Sequence, residues 1–299
     1  MIGQYPELNN KIVVITGATS GIGLAAATQF AQEGAFVIGV GRSLERNQQA
    51  LQSILRQNPV GEVTYLLADL AHQQQVRTLG HEIRTLLDRF NLNCVDVLIN
   101  NAGLYLDKKQ MTPENLEMTF AVNHLAGFLL THLLLPLLHQ STKGRVITVT
   151  SYSHRTTPIN LKRIANPWPY FGLLAYKRSK LCNVLFAQEL NRRCDHITAF
   201  AVDPGLVNTN IASKNEPGLS SWVWKFRRHN GTHTDVPVKT LLFLAGAASI
   251  DTTQGCYFKD CKPLQPSKQA LNLNLAKALW KLSSRLTGIN WEGCGPQEN

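Results

Sequence analysis

The stretch that most constrains the fold is residues 11–23. A β-branched run, Lys11-Ile12-Val13-Val14-Ile15-Thr16, breaks into Thr16-Gly17-Ala18-Thr19-Ser20-Gly21-Ile22-Gly23, and apolar residues then recur at helical spacing up to Gly34. Few folds begin with a buried strand, a glycine turn and a helix in that order. Glycines let the chain turn tightly and let phosphate oxygens approach the unpaired N–H groups at a helix start. An ordinary glycine-rich turn would read the same in isolation. Placement between strand and helix is what makes a phosphate cradle the stronger reading.

The pattern repeats downstream. Strands are expected at Ala35 to Val40, Glu62 to Ala68, Val95 to Asn100, Arg145 to Thr150 and Ile197 to Val202. Helices are expected at Leu44 to Gln57, Gln73 to Phe90, Pro113 to His139 (bent or ended by Pro136), Leu173 to Arg193 and Ala270 to Leu286. Strands alternating with long helices through short turns predict an α/β fold, a doubly wound parallel sheet covered on both faces. No repeat or low-complexity linker divides the chain. A single domain over 1–299 is expected, with a dinucleotide-binding half at 10–150, a catalytic half at 151–265, and a C-terminal helix and tail at 266–299.

Composition narrows the function classes. The formal net charge is +10, yet residues 1–150 hold 11 basic and 11 acidic side chains against 19 and 9 in the remainder. An asymmetry of this kind raises nucleic acid, membrane or acidic partners; with no nucleic-acid-binding module, surface composition is the favoured reading. The first residues, Met1 to Lys11, lack the basic and apolar regions of a signal peptide. The longest apolar tract, Gly127 to Leu138, is too short to span a bilayer. Six scattered cysteines without a C-x-x-C pair signal no metal site, and free thiols in a cytoplasmic protein are expected.

Chemistry enters with Tyr176 and Lys180, which share one helical face at i, i+4. The pair alone could arise by chance. Ser151, at the end of the fifth strand, and Asn123, in the long helix, add polar groups at an expected pocket edge. Together with Thr16-Gly17-x-x-x-Gly21-x-Gly23, Asp69-Leu70, Asn100-Asn101-Ala102-Gly103 and Asp203-Pro204-Gly205, these residues resemble the short-chain dehydrogenase/reductase family over residues 10 to about 260. Residues 122–131, 179–186 and 255–261 are most similar to its retinol dehydrogenase branch. Where the family commonly has paired serines, this chain has Thr150-Ser151, so Ser151 aligns with the catalytic serine and Ser153 is the substitute candidate. The N-terminal membrane-anchoring segment of many retinol dehydrogenases is not found in this sequence.

The resemblance implies a Rossmann-type fold and reversible hydride transfer between a nicotinamide cofactor and a carbonyl or alcohol carbon of a lipophilic substrate, retinal-like or similar. Tyr176 would be the proton donor, Lys180 would lower its pKa and hold the ribose, Ser151 would polarise the substrate oxygen, and Asn123 would support a water chain. Cofactor contacts would come from Gly17, Thr19, Ser20, Gly21, Ile22, Gly23, Asp69, Leu70, Asn101, Ala102, Gly103, Tyr176, Lys180, Pro204, Gly205, Val207 and Thr209. Asp69 could equally cap a helix. Gly41 stands where an acidic residue would hold the ribose hydroxyls of NAD, and Arg42 follows it; a guanidinium there suits a 2′-phosphate, so NADP is expected over NAD. Arg42 could also be plain surface charge. His124, His132 and His154 are read as structural.

Two variable stretches bear on substrate and assembly. Between Ser151 and Tyr176 lie 24 residues, including Arg155, Lys162, Arg163, Trp168 and Tyr170. In the family such an insertion lines the substrate mouth or blocks the helix pairing of tetramers, so a monomer or homodimer is expected. Residues 219–228 mix aromatics with cations, as a lid or a peripheral membrane contact would. The alternative to an enzyme is a non-catalytic dinucleotide-sensing protein on the same fold. Such proteins commonly lack the Tyr or the Lys, and this chain has both.

Overall fold

Side chains of the first strand, β1 (Ile12–Thr16), are buried throughout, with Ile12 and Val14 in one apolar cluster and Val13 and Ile15 in another. Period-two burial on both faces forces β1 into the middle of a sheet that helices cover on each side. In the computed structural model, which describes residues 5–205, 234–253 and 255–291, that sheet has the strand order β3-β2-β1-β4-β5-β6-β7-β8. Parallel partners of β1 are β2 (Phe36–Gly41) and β4 (Val97–Asn100); β3 (Val63–Leu67), β5 (Gly144–Val149) and β6 (Ile197–Val202) extend it. The expected doubly wound parallel fold is present as a single domain. Two short strands that the sequence reading did not place, β7 (Tyr257–Lys259) and β8 (Lys262–Pro263), close the far edge, the last pair antiparallel.

Helices α1 (Gly21–Gln32), α2 (Leu44–Leu55) and α3 (Gln73–Arg89) fall where the periodicity puts them. The long helix does not begin at Pro113. Asn115 adopts a left-handed φ of 63°, and the buried Glu117 carboxylate accepts from the N–H groups of Thr119 and Phe120, so the helix starts with α4 (Met118–Phe120). A π turn, Ala121–Leu125, follows and leads into α5 (Ala126–Gln140). Pro136 does not end α5; it lies on the exposed side of the helix, which runs on to Gln140. From Met118 to Gln140 the run is long and apolar enough to cross a membrane by length and composition, which the shorter tract expected from the sequence was not. With 78% of it buried inside the protein, it is a core helix.

Beyond β5, a 3-10 turn (Tyr152–Thr156) leads through the insertion to α6 (Gly172–Arg193). After β6 come α7 (Asp235–Gly246) and α8 (Leu273–Thr287). The last helix begins three residues later than expected, since Asn272 Oδ1 caps it at Leu275 N. It packs on α5 and α6 through Trp280, stacked on Phe186 with ring centroids 5.9 Å apart. The cysteines also depart from expectation: Cys94, Cys182, Cys256 and Cys261 are free, whereas Cys194 is disulfide-bonded. Among the described residues no cluster of His, Cys, Asp or Glu could hold a metal.

The glycine turn is held at very short range. A Cβ on Gly23 would lie 2.2 Å from Gly17 O and 2.5 Å from Asn101 Nδ2. Gly23→Ala is therefore expected to destabilise the protein by about 1–3 kcal/mol, read as a lower urea midpoint with an unchanged slope; a midpoint equal to the parent's would show that the turn yields freely.

Candidate active site

The candidate site gathers at the C-terminal ends of strands β1 to β6, joined by Asn123 from the π turn and by Tyr176 and Lys180 from α6. Gly17 and Gly21 have positive φ, 66° and 54°, which only glycine adopts without strain at such a turn. Thr16 Oγ1 accepts from Asn101 N and Ala102 N at 3.0 and 3.1 Å. Asn101 Nδ2 donates to Thr16 O at 2.8 Å and to Gly17 O at 3.2 Å. The Asn101 side chain thus clamps the glycine turn to the loop after β4. Ser20 is the N-cap of α1, is exposed and makes no side-chain capping bond.

At the end of β2, Gly41 has no room for a side chain: a Cβ would meet Asn47 Oδ1 at 2.1 Å and Thr19 Cγ2 at 2.5 Å. This explains in steric terms why no acidic residue stands there. Arg42 beside it is exposed. Asp69 follows β3 and is partly exposed; its Oδ1 accepts from Ala71 N at 3.0 Å in a local turn and does not cap α3, whose N-cap is His72, while Leu70 sits half-buried next to it.

Asn123 occupies the π turn. Its Oδ1 accepts from Leu104 N at 2.7 Å, and its Nδ2 donates to Leu104 O and Ser179 Oγ, both at 3.0 Å. Both amide hydrogens are committed, so the side chain fixes the loop after Gly103 to α6. Tyr176 and Lys180 project from α6 as expected. Lys180 is 2% exposed, with Nζ 5.6 Å from the Tyr176 ring centroid and donating to Val149 O at 3.0 Å. Burial pushes its pKa down to about 8. A Cβ on Gly103 would lie 3.3 Å from Lys180 Nζ and 3.5 Å from Asn123 Oδ1, so the missing side chain keeps open a gap that both border.

Ser151 directly follows β5, and its Oγ accepts from Ser153 N at 3.2 Å and from Ser153 Oγ at 3.0 Å. Ser153 supports Ser151 rather than replacing it. His154 is structural, as expected: Nδ1 donates to Ser151 O at 2.8 Å and Nε2 accepts from Ser267 N at 3.2 Å. Pro204 and Gly205 follow β6, Gly205 N donating to Asp203 Oδ1 at 3.0 Å. Val207, Thr209 and the segment 219–228 lie outside the described residues.

Sequence reasoning missed Tyr105, which is buried with its ring 6.1 Å from that of Tyr176 and has no motif that could have announced it. Tyr170, named in the insertion, donates to Leu106 O at 3.1 Å. The insertion is also tied down by Lys109 to Asn166 and Arg155 to Gln265, which leaves Trp168 77% exposed.

The lysine makes the ligand-free site unstable by construction. Below about pH 8 it is protonated both folded and unfolded, so the full cost of burying charge applies. Above its unfolded pKa of about 10.5 it is neutral in both states and the cost is gone. Stability contributed by this group therefore rises with pH between those limits. Lys180→Met is expected to be more stable than the parent by on the order of 2 kcal/mol at pH 7, a difference that shrinks towards pH 10.5. Denaturation curves of both proteins across that range check this; a pH-independent difference would contradict it.

The short chain dehydrogenase family model matches residues 11–219. Retinol dehydrogenase 12 of Mus musculus is 34% identical over 288 residues, spanning 96% of this chain and 89% of that protein. The WW domain-containing oxidoreductase of Gallus gallus is 35% identical over 293 residues, 95% of this chain and 69% of that one. A solved structure of an uncharacterised protein from Mycobacterium paratuberculosis superposes with a TM-score of 0.74 at 29% identity, covering 96% of this chain and 97% of its own. Motif, fold, buried lysine and sequence kinship converge: the chain belongs to the short chain dehydrogenase family, in its retinol dehydrogenase-like branch.

Proposed function

We propose that the protein is an NADP(H)-dependent oxidoreductase that interconverts a carbonyl and an alcohol on a lipophilic small molecule. The observation that carries the reading is the enclosed Lys180 ammonium beside the Tyr176 ring, held by a strand-end carbonyl in a setting that makes its charge costly unless chemistry uses it. The residues present fit a dinucleotide: a turn whose Cβ positions are taken up by backbone, an exposed helix N-cap, and an exposed guanidinium where an acid cannot fit. Two solved structures of NADP complexes, a short chain dehydrogenase from Shigella flexneri and another from Burkholderia cenocepacia, share the fold at 23% identity and a TM-score of 0.63 each.

When bound, the cofactor supplies or takes the hydride. The chain's own residues handle the proton. A phenol with a pKa near ~10 is a poor base at neutral pH, and the Lys180 charge beside Tyr176 stabilises phenolate, so Tyr176 can give and recover a proton at the substrate oxygen. Ser151, oriented by Ser153, would donate a hydrogen bond to that oxygen. Asn123 would act by fixing the Gly103 loop, and the gap between its Oδ1 and Lys180 Nζ would admit the water that returns the proton to solvent. NADP is favoured over NAD by Arg42.

The 24 residues between Ser151 and Tyr176 are the reason a monomer or homodimer is proposed, since such an insertion would block the helix pairing of tetramers; α8, packed on α6 through Trp280 and Phe186, agrees with that. Sedimentation at micromolar concentration is expected to show no stable tetramer.

The functional reading is tested by NADPH oxidation over a panel of lipophilic aldehydes and ketones. Tyr176→Phe is expected to lower kcat/KM by about 100-fold or more. Arg42→Ala is expected to weaken NADPH binding about tenfold while leaving NADH binding unchanged. NADPH binding without turnover of any carbonyl would favour a dinucleotide-sensing protein instead.

A further inference from the structure

Next to Asn123 in the π turn sits His124, 2% exposed and enclosed by aromatic rings: stacked on Phe120 at 5.4 Å, with Phe128 and Phe186 at 6.1 and 6.2 Å. Another phenyl ring could fill such a box by shape, but it would leave the buried Ser283 hydroxyl and Asn183 amide without the partner that His124 supplies. What the imidazole adds is direction. Its Nε2 lies 2.9 Å from Ser283 Oγ on α8, and its Nδ1 3.4 Å from Asn183 Oδ1 on α6. Asn183 Nδ2 donates to Val149 O at 3.3 Å, the carbonyl that also accepts from Lys180 Nζ.

The polarity of the whole series is fixed by its last member. Val149 O can only accept, so Asn183 presents its oxygen to His124, and His124 must carry its proton on Nδ1. That leaves Nε2 to accept from the Ser283 hydroxyl. Burial lowers the His124 pKa to about 4, so the ring stays neutral and supplies one donor and one acceptor. The rings packed on it from α4, α5 and α6 are Phe120, Phe128 and Phe186, none of which titrates.

We propose that Ser283, His124 and Asn183 form a positioning chain through which the C-terminal helix α8 sets the place of Lys180 Nζ against Tyr176. The chain touches no reacting atom. Both lone pairs of Val149 O are engaged, one by Asn183 and one by Lys180. Losing the Asn183 bond frees the carbonyl and with it the ammonium, whose effect on the phenol depends on its position. The same imidazole adjoins Asn123, so the two site residues on different elements share one anchor. This inference rests on the proposed role of the Tyr176–Lys180 pair.

The test compares His124→Phe, His124→Asn and Ser283→Ala with the parent by two readouts. The first is kcat and KM for an accepted carbonyl. The second is ultraviolet difference titration of the Tyr176 phenol, each protein measured against its own Tyr176→Phe form, which needs no turnover. His124→Phe is expected to lower kcat about tenfold with KM little changed, and to raise the phenol midpoint by about half a pH unit or more. His124→Asn places an amide nitrogen near the Nδ1 position and should recover most of both effects. Ser283→Ala, the mildest change and the one retained if His124→Phe does not fold, should shift both in the same direction. A parental phenol midpoint in Ser283→Ala and in every folded His124 variant overturns the proposal, as does a His124→Asn protein no better than His124→Phe. If no carbonyl is turned over by the parent, the functional reading falls while the titration still decides the positioning chain.

Discussion

The interaction on which the site depends is the hydrogen bond from Lys180 Nζ to Val149 O. Placing an ammonium where water does not reach is costly, and a strand-end carbonyl offsets only part of that cost. The fold supplies the rest of the enclosure. Strand β5 ends at Val149, whose carbonyl meets Lys180 on α6, α6 carries Tyr176 and Lys180 one turn apart on one face, and the loop at Gly103 must lack a side chain for the gap above the ammonium to persist. A group held under these conditions is the kind that active sites retain despite its effect on stability.

The phosphate side of the site follows a different logic. Its parts are held by backbone closeness rather than charge: Thr16 Oγ1 and Asn101 Nδ2 bind the turn, and Gly23 meets Gly17 O where no Cβ could intervene. Precision there comes from packing that cannot relax, and it leaves the helix start open. The neutral balance of residues 1–150 agrees with this, since such a cradle needs no bulk positive field.

Much of this was legible in the sequence, for identifiable reasons. Strand–turn–helix order, the strands as far as β6 and the Tyr176–Lys180 spacing are local patterns of period 2 or 3.6, and local patterns survive in a linear reading. Glu117 as a helix cap was not legible, because the periodicity of residues 113–117 continues that of the helix while Asn115 turns the backbone out of it. Of the two outcomes expected of Pro136, ending the helix is not the one taken, since α5 continues through it to Gln140. His124 was read as structural, which its burial supports, but its partners are 59 and 159 residues away and no spacing could disclose them. The two edge strands were too short, at three and two residues, to leave a pattern.

The position of α8 has a consequence for how the protein comes into being. Its contacts reach back across almost the whole chain: Gln73 binds Leu286 O over a separation of 213 residues, and Arg77 binds Thr287 O over 210. Strands β1 to β6 and the glycine turn precede α8 by at least 70 residues, so they can pair during synthesis before this long-range closure is made. Until then the ring-lined recess around His124 has an open side, and the nascent domain presents an apolar surface to its surroundings. Folding in that order would seal the recess around His124 after the parallel sheet has formed, with α8 as the closing element.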